Sequence, residues 1–127
     1  MFSNKLCIVT GAGKGIGLSI AKLFLEKNNI VFACTKNNTS QLDILKESSP
    51  SNLNILKFDI NDNDACKDNL KLIWKKYSRI DILVNCAGVP HGSLFSMTKI
   101  EDIKEVFQTN FFSLLSFTQN CARLMAR

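Results

Sequence analysis

The chain has 127 residues, 46% apolar and 21% charged, with a formal net charge of +5. That length supports one domain with a sizeable core, and the balance is that of an ordinary globular protein, which excludes disordered and fibrous classes. No apolar run approaches a membrane span, and the lysines are scattered without interleaved aromatics, which argues a generic basic surface and against nucleic acid or membrane as a partner.

Met1 to Lys5 leads straight into Leu6-Cys7-Ile8-Val9, so no signal peptide is expected. The apolar run suits a strand covered on both faces. Thr10 to Gly17 then reads TGAGKGIG, and Ile16, Ile20, Leu23 and Phe24 recur at helical spacing after it. Strand, glycine-rich turn and amphipathic helix together make a phosphate cradle. Glycines let the backbone turn sharply and approach a ligand, and the free N–H groups of a helix start favour negative charge. The spacing is not the common dinucleotide fingerprint, which would place a glycine where Ile16 stands, and no Gly-Lys-Ser/Thr follows as in a P-loop. It is T-G-x-x-x-G-x-G, through Thr10, Gly11, Gly15 and Gly17. On its own, such a loop can also be a tight turn that binds nothing.

Asn28-Asn29 ends the first helix, and Ile30 to Thr35 is the second strand. Lys36 to Asn38 turns into a short helix starting at Thr39 or Ser40, and Ser48 to Asn52 is a loop. Leu53 to Phe58 is the third strand. Asn61 or Asp62 caps the third helix, whose buried face is Cys66, Leu70, Ile73 and Tyr77. Ile80 to Val84 is the fourth strand, followed by Asn85-Cys86-Ala87-Gly88 and a loop with Pro90 and Gly92. Thr98 to Glu101 has the form of a capping box and opens a long last helix. Ile103, Phe107, Leu114, Phe117, Cys121 and Leu124 form one apolar stripe on it, with Asn110 inside the stripe. Phe111, Leu115, Ala122 and Met125 form a second, so this helix is expected to be covered on both sides. Strand and helix alternate four times, which argues an α/β fold with a parallel sheet and helices on both faces.

The five cysteines lack C-x-x-C spacing. Cys7, Cys34 and Cys121 read as small buried hydrophobes in a reducing compartment, the cytoplasm, and the spacings suit neither a disulfide frame nor a metal site.

The glycine loop, Asn85-Cys86-Ala87-Gly88 after the fourth strand, Asp59 after the third, and Asn110 behind the Thr98 to Glu101 segment occur in one order. In that order they resemble the short-chain dehydrogenase/reductase family from Lys5 to about Ala126. Taken alone, Asp59 could cap a turn, Asn85 could serve only the strand end, and Asn110 could be a structural amide. The resemblance implies a Rossmann-type doubly wound parallel sheet, here its first four strands in order 3-2-1-4, within one NAD(P)-binding domain. It implies that Thr10, Gly11, Ala12, Gly13, Lys14, Gly15, Ile16, Gly17, Lys36, Asp59, Ile60, Asn85, Ala87 and Gly88 bind the dinucleotide. Those segments end strands, where open α/β sheets bind ligands. For the cofactor, no acid stands between Glu26 and Asp43 to hold a ribose 2′-OH, whereas Lys14 and Lys36 flank the site. That favours a 2′-phosphate, and so NADP(H) over NAD(H).

In the family the carbonyl chemistry needs a serine, a tyrosine and a lysine, the last two as Tyr-x-x-x-Lys. Here only the tetrad's asparagine, Asn110, has a counterpart. The only tyrosine is Tyr77, with no lysine four residues on. The lone His91 reads as a solvent-exposed loop residue. The resemblance therefore implies an N-terminal half that is catalytically incomplete. The uncovered Phe-rich helix and the open edge of the fourth strand lead one to expect it to be unstable or to aggregate alone. Within the family the loop, the Asn-x-Ala-Gly segment and Val89 to Leu94 look most like 3-oxoacyl-acyl-carrier-protein reductases. Those act on a small-molecule or carrier-bound carbonyl, and the whole protein would be a homodimer or homotetramer. The other class left open is a non-catalytic dinucleotide-binding or interaction protein.

Overall fold

The computed structural model describes residues 2–127. In chain order it contains β1 (Leu6–Thr10), α1 (Gly15–Glu26), β2 (Ile30–Thr35), α2 (Ser40–Ser48), β3 (Leu53–Lys57), α3 (Asn63–Tyr77) and β4 (Ile82–Asn85). Then come α4 (Ile100–Phe107), a π-helical segment (Gln108–Ser113) and α5 (Leu114–Met125). The four strands are parallel in the order β3-β2-β1-β4, as the sequence leads one to expect. Among the described residues no helix is long and apolar enough to cross a membrane.

β1 is buried along its whole length, and its alternation divides the core. Leu6 and Ile8 face α3 and α5, packing with Phe32, Leu70, Phe117 and Cys121. Cys7 and Val9 face α1 and α2, packing with Ala21, Leu25, Val31 and Leu42. A strand apolar at every position is what this two-sided cover requires. Helix starts follow the sequence: Thr39 accepts from the Leu42 N–H at 3.2 Å and Asp62 from the Ala65 N–H at 3.0 Å.

Asn29 does more than end a helix. It is fully buried, accepts from the Lys5 N–H at 2.9 Å, and donates to the carbonyls of Phe2 and Phe24. One amide thus ties the entry to β1 to the end of α1. β4 starts at Ile82, two residues later than expected. Asp81 instead pins the start of β1, its Oδ2 accepting the Leu6 N–H at 2.6 Å.

The C-terminal helix departs most from expectation. The capping box does not form: α4 starts at Ile100 with no side-chain cap, and the Thr98 hydroxyl turns back to the Leu94 carbonyl at 3.0 Å. Nor is the helix regular. The π segment spans Asn110, where one added residue turns later side chains by about 100° at 3.6 residues per turn. Phe107, expected inside, is 56% exposed, and Asn110 is exposed as well. Ser113 takes the inward place and leads on to Phe117 and Cys121, both buried as expected. The second apolar stripe is uncovered, with Phe111 and Leu115 exposed beside Phe112.

Candidate functional site

The carboxyl ends of the strands open into one cleft of about 590 Å³, within the size range of small-molecule and cofactor sites. Its floor is the turn from β1 to α1. Gly11 has φ +63°, and a Cβ there would lie 2.7 Å from the Ala87 Cα and N and the Cys86 carbonyl. A Cβ on Gly17 would land on the Gly11 carbonyl, and one on Gly13 would meet Thr35 Oγ1 at 2.6 Å. Gly15 has space around it but a left-handed φ of +56°. Close approach thus requires Gly11, Gly13 and Gly17, and left-handed backbone requires Gly11 and Gly15. α1 starts from Lys14 without a side-chain cap or an acid in its first turn. Gly15, Ile16 and Gly17 line the cleft there, so the positive end of the helix addresses it with N–H groups no side chain has claimed.

Thr10 joins the two central strand ends. Its Oγ1 accepts from the N–H groups of both Cys86 and Ala87 at 3.1 Å. Ala12, expected to touch the ligand, is fully buried and not part of the cleft wall. Its N–H donates to the Cys34 carbonyl at 3.1 Å, tying the cradle to β2. The Thr39 hydroxyl holds the Gly13 carbonyl from α2.

One wall carries Lys36, Asp59 and Ile60. Lys36 Nζ lies 2.9 Å from Asp59 Oδ2, and the other carboxylate oxygen accepts from the Asn61 N–H at 2.9 Å. That N–H first, and the Lys36 ammonium second, hold the Asp59 carboxyl below its ordinary range. Asp59 is the only carboxylate among the described residues lining the cleft, and Lys14 stands on its rim as an exposed cation.

The opposite wall is Cys86, Ala87, Gly88 and Val89. Asn85 does not reach it. Its amide donates to Thr118 Oγ1 at 2.9 Å and so fastens α5 to the end of β4. Asn110 also stays outside the cleft lining, one layer behind it. Its Oδ1 accepts from the Val89 N–H at 2.7 Å and its Nδ2 donates to the Val89 carbonyl at 2.9 Å. It thereby sets the wall beside Gly88, where an added Cβ would sit 3.2 Å from Asn110 Oδ1.

Asn61 and Thr109 are among the lining residues that the sequence reading did not name for the site. Asn61 lines the cleft and reaches the π segment, donating to Thr109 Oγ1 at 3.0 Å and accepting from Ser113 Oγ at 2.7 Å. Thr109 lines the cleft too. In sequence Asn61 looks only like a helix cap, and nothing marks Thr109. His91 is exposed, bonded at Nε2 to Ser93 Oγ at 2.8 Å, as expected of a loop histidine.

All five cysteines are free, and four are buried. Burial pushes the thiols of Cys7, Cys66 and Cys121 up to about 11, and Cys34 higher still. Only Cys86 is half-exposed, on the cleft wall. With an aromatic disulfide reagent near about pH 8, one fast thiol is expected in the native chain and four more after denaturation. A second fast thiol would contradict this packing.

The family model for the short chain dehydrogenases matches residues 5–127. The 3-oxoacyl-acyl-carrier-protein reductase of Thermotoga maritima is 32% identical over 118 residues, covering 91% of this chain and 48% of that protein. The reductase of the same name from Escherichia coli is 27% identical over 127 residues, covering 99% and 51%. Among solved structures, a short-chain dehydrogenase from Streptomyces avermitilis aligns with a TM-score of 0.89 at 26% identity, covering 97% of this chain and 45% of that one. The chain spans about half the length of the curated relatives it matches. With its 3-2-1-4 parallel sheet and glycine cradle, the chain belongs to the short-chain dehydrogenase/reductase family of oxidoreductases.

Proposed function

We propose that this chain is the dinucleotide-holding half of an NADP(H)-dependent oxidoreductase that interconverts a carbonyl and a hydroxyl. The proposed substrate class is 3-oxoacyl groups on acyl carrier protein, as the names of the relatives read. One observation carries the reading: an uncapped helix start faces the cleft across a turn where side chains at Gly11, Gly13 and Gly17 would collide. That cradle fits a pyrophosphate, which needs close backbone and unclaimed N–H donors.

The residues divide the work along the cleft. Gly11, Gly13, Gly15, Ile16 and Gly17 would hold the pyrophosphate, and Thr10 and Ala12 keep that turn in place from behind. Lys14 and Lys36 would take the 2′-phosphate, with Asp59 and Ile60 on the adenine side. Ala87 and Gly88 would flank the nicotinamide side, steadied by Asn85 through Thr118 and by Asn110 through Val89. The nicotinamide supplies the hydride exchanged with the carbonyl carbon. Asn110 is the sole member of the family's tetrad proposed here. Tyr77 does not stand in as the acid: it is half-buried at the end of α3, edge-on to Phe32 at 5.7 Å, and does not line the cleft. Residues 1–127 alone are therefore proposed to bind without turnover. The exposed face of Phe107, Phe111, Phe112 and Leu115 supports self-association of the whole protein as a homodimer or homotetramer. Five free thiols support a cytoplasmic location.

Binding titrations of the chain with NADPH and NADH test the assignment. The Lys14→Ala/Lys36→Ala double variant is expected to lose about a hundredfold in NADPH affinity, with NADH affected far less. Equal losses for the two would refute a 2′-phosphate site. Reduction of a 3-oxoacyl thioester by residues 1–127 would refute catalytic incompleteness.

A further inference from the structure

The ends of β2 and β3 lie side by side, with Thr35 opposite Lys57 and the Phe58 N–H bonded to the Thr35 carbonyl. That places Lys36 and Asp59 against each other on the cleft wall. The two partners are not equally fixed. Asp59 is anchored by the Asn61 N–H at 2.9 Å and its side chain is 34% exposed. Lys36 reaches Asp59 from a flexible stem, with its side chain 69% exposed. We propose that Asp59 sets how strongly the cleft prefers a dinucleotide bearing a 2′-phosphate, by competing with that phosphate for the Lys36 ammonium.

An ion pair this exposed does little for the fold, so its ammonium is open to a stronger anion. A phosphate monoester carries about −1.5 to −2 charges and three acceptor oxygens, against the single oxygen Asp59 gives Lys36. The phosphate wins the lysine. Drawing the ammonium away breaks its ion pair with Asp59, and that loss takes back part of the gain. Lys14 makes no ion pair among the described residues, so its charge is undivided. The two lysines are thus unequal, and Asp59 is a specificity-positioning residue acting through one of them. A ligand without the phosphate leaves the pair intact and feels none of this.

The inference rests on the dinucleotide reading above, and its test separates the two. Asp59→Asn keeps an oxygen for the Asn61 N–H while removing the charge. The 127-residue chain is titrated with NADPH, NADH, 2′,5′-ADP and 5′-AMP. Asp59→Asn is expected to raise the NADPH:NADH and 2′,5′-ADP:5′-AMP affinity ratios about fivefold. In a Lys36→Met background the same change should move them less than about twofold. A merely structural role would lower all four affinities and leave the ratios alone. An unmoved ratio overturns the proposal. So does an equal shift in both backgrounds, which would mean that carboxylate and phosphate repel directly without the lysine. Tighter wild-type binding of NADH would overturn the NADP(H) assignment while the ratio shift still decides on Asp59. Wild-type binding of none of the four probes would overturn both.

Discussion

Gly11→Ala is expected to cost the protein about 3 kcal/mol and to abolish dinucleotide binding. Two independent penalties meet at this residue. Its φ of +63° is left-handed, which an L side chain adopts at a cost of about 1–2 kcal/mol. The new methyl would also lie 2.7 Å from three backbone atoms of Cys86 and Ala87. Backbone cannot rotate away as a side chain does, so the β4 loop must shift, at about 1–3 kcal/mol. Neighbouring glycines separate the two effects. Gly15→Ala meets open space but the same hand of backbone, φ +56°, and should cost about 1–2 kcal/mol. Gly92→Ala meets neither obstacle and should be neutral. Urea melts of the three variants rank them, and binding titrations follow the cleft. If Gly11→Ala is as stable as Gly92→Ala, the close packing of cradle on β4 is wrong.

Much of this architecture is written in local chemistry. The continuous apolar run at Leu6 to Val9 announces a doubly covered strand, because each residue alternately feeds one of two core clusters. Thr39 and Asp62 announce their helices because a short side-chain oxygen reaches the third N–H ahead. The glycines announce the cradle because no other residue fits beneath Ala87 and Thr35. What stayed hidden is set by distant partners. Thr98 has the right neighbours for a capping box, but its hydroxyl is taken by Leu94 and the His91–Ser93 pair. The stripe through Phe107 and Asn110 assumes an unbroken 3.6-residue period. The π segment breaks it, and Thr109 and Ser113 turn toward Asn61 from 48 and 52 positions away. Asn110 then faces Val89. That placement was not legible: an amide that satisfies both backbone polar groups of one residue looks, in sequence, like any buried amide. Asn85 is the same case, spent on Thr118 within α5, 33 positions away.

The Thr10 hydroxyl sits between cradle and wall, and Thr10→Val isolates what it does. Valine keeps the shape and removes only the oxygen. The Cys86 and Ala87 N–H groups, each 3.1 Å from that oxygen, then lose their acceptor in a place where water reaches poorly, Thr10 itself being 1% exposed. An unmet buried donor costs about 1–3 kcal/mol, so the pair should cost about 3 kcal/mol in total. The loss extends to function because these N–H groups fix the loop against which Gly11 packs. When that loop drifts, the β1 turn loses its support and the cleft its far wall together. Dinucleotide affinity should fall more than about thirtyfold, beyond what one hydrogen bond to a ligand explains. Thr10→Ser restores the oxygen and should recover most of both losses. Hydrogen exchange reads the cause directly. The Cys86 and Ala87 amides should be protected in the wild-type and serine chains and exchange fast in the valine chain. Amides that stay protected in Thr10→Val would show that something other than this hydroxyl holds the wall, and the coupling between cradle and β4 would have to be sought elsewhere.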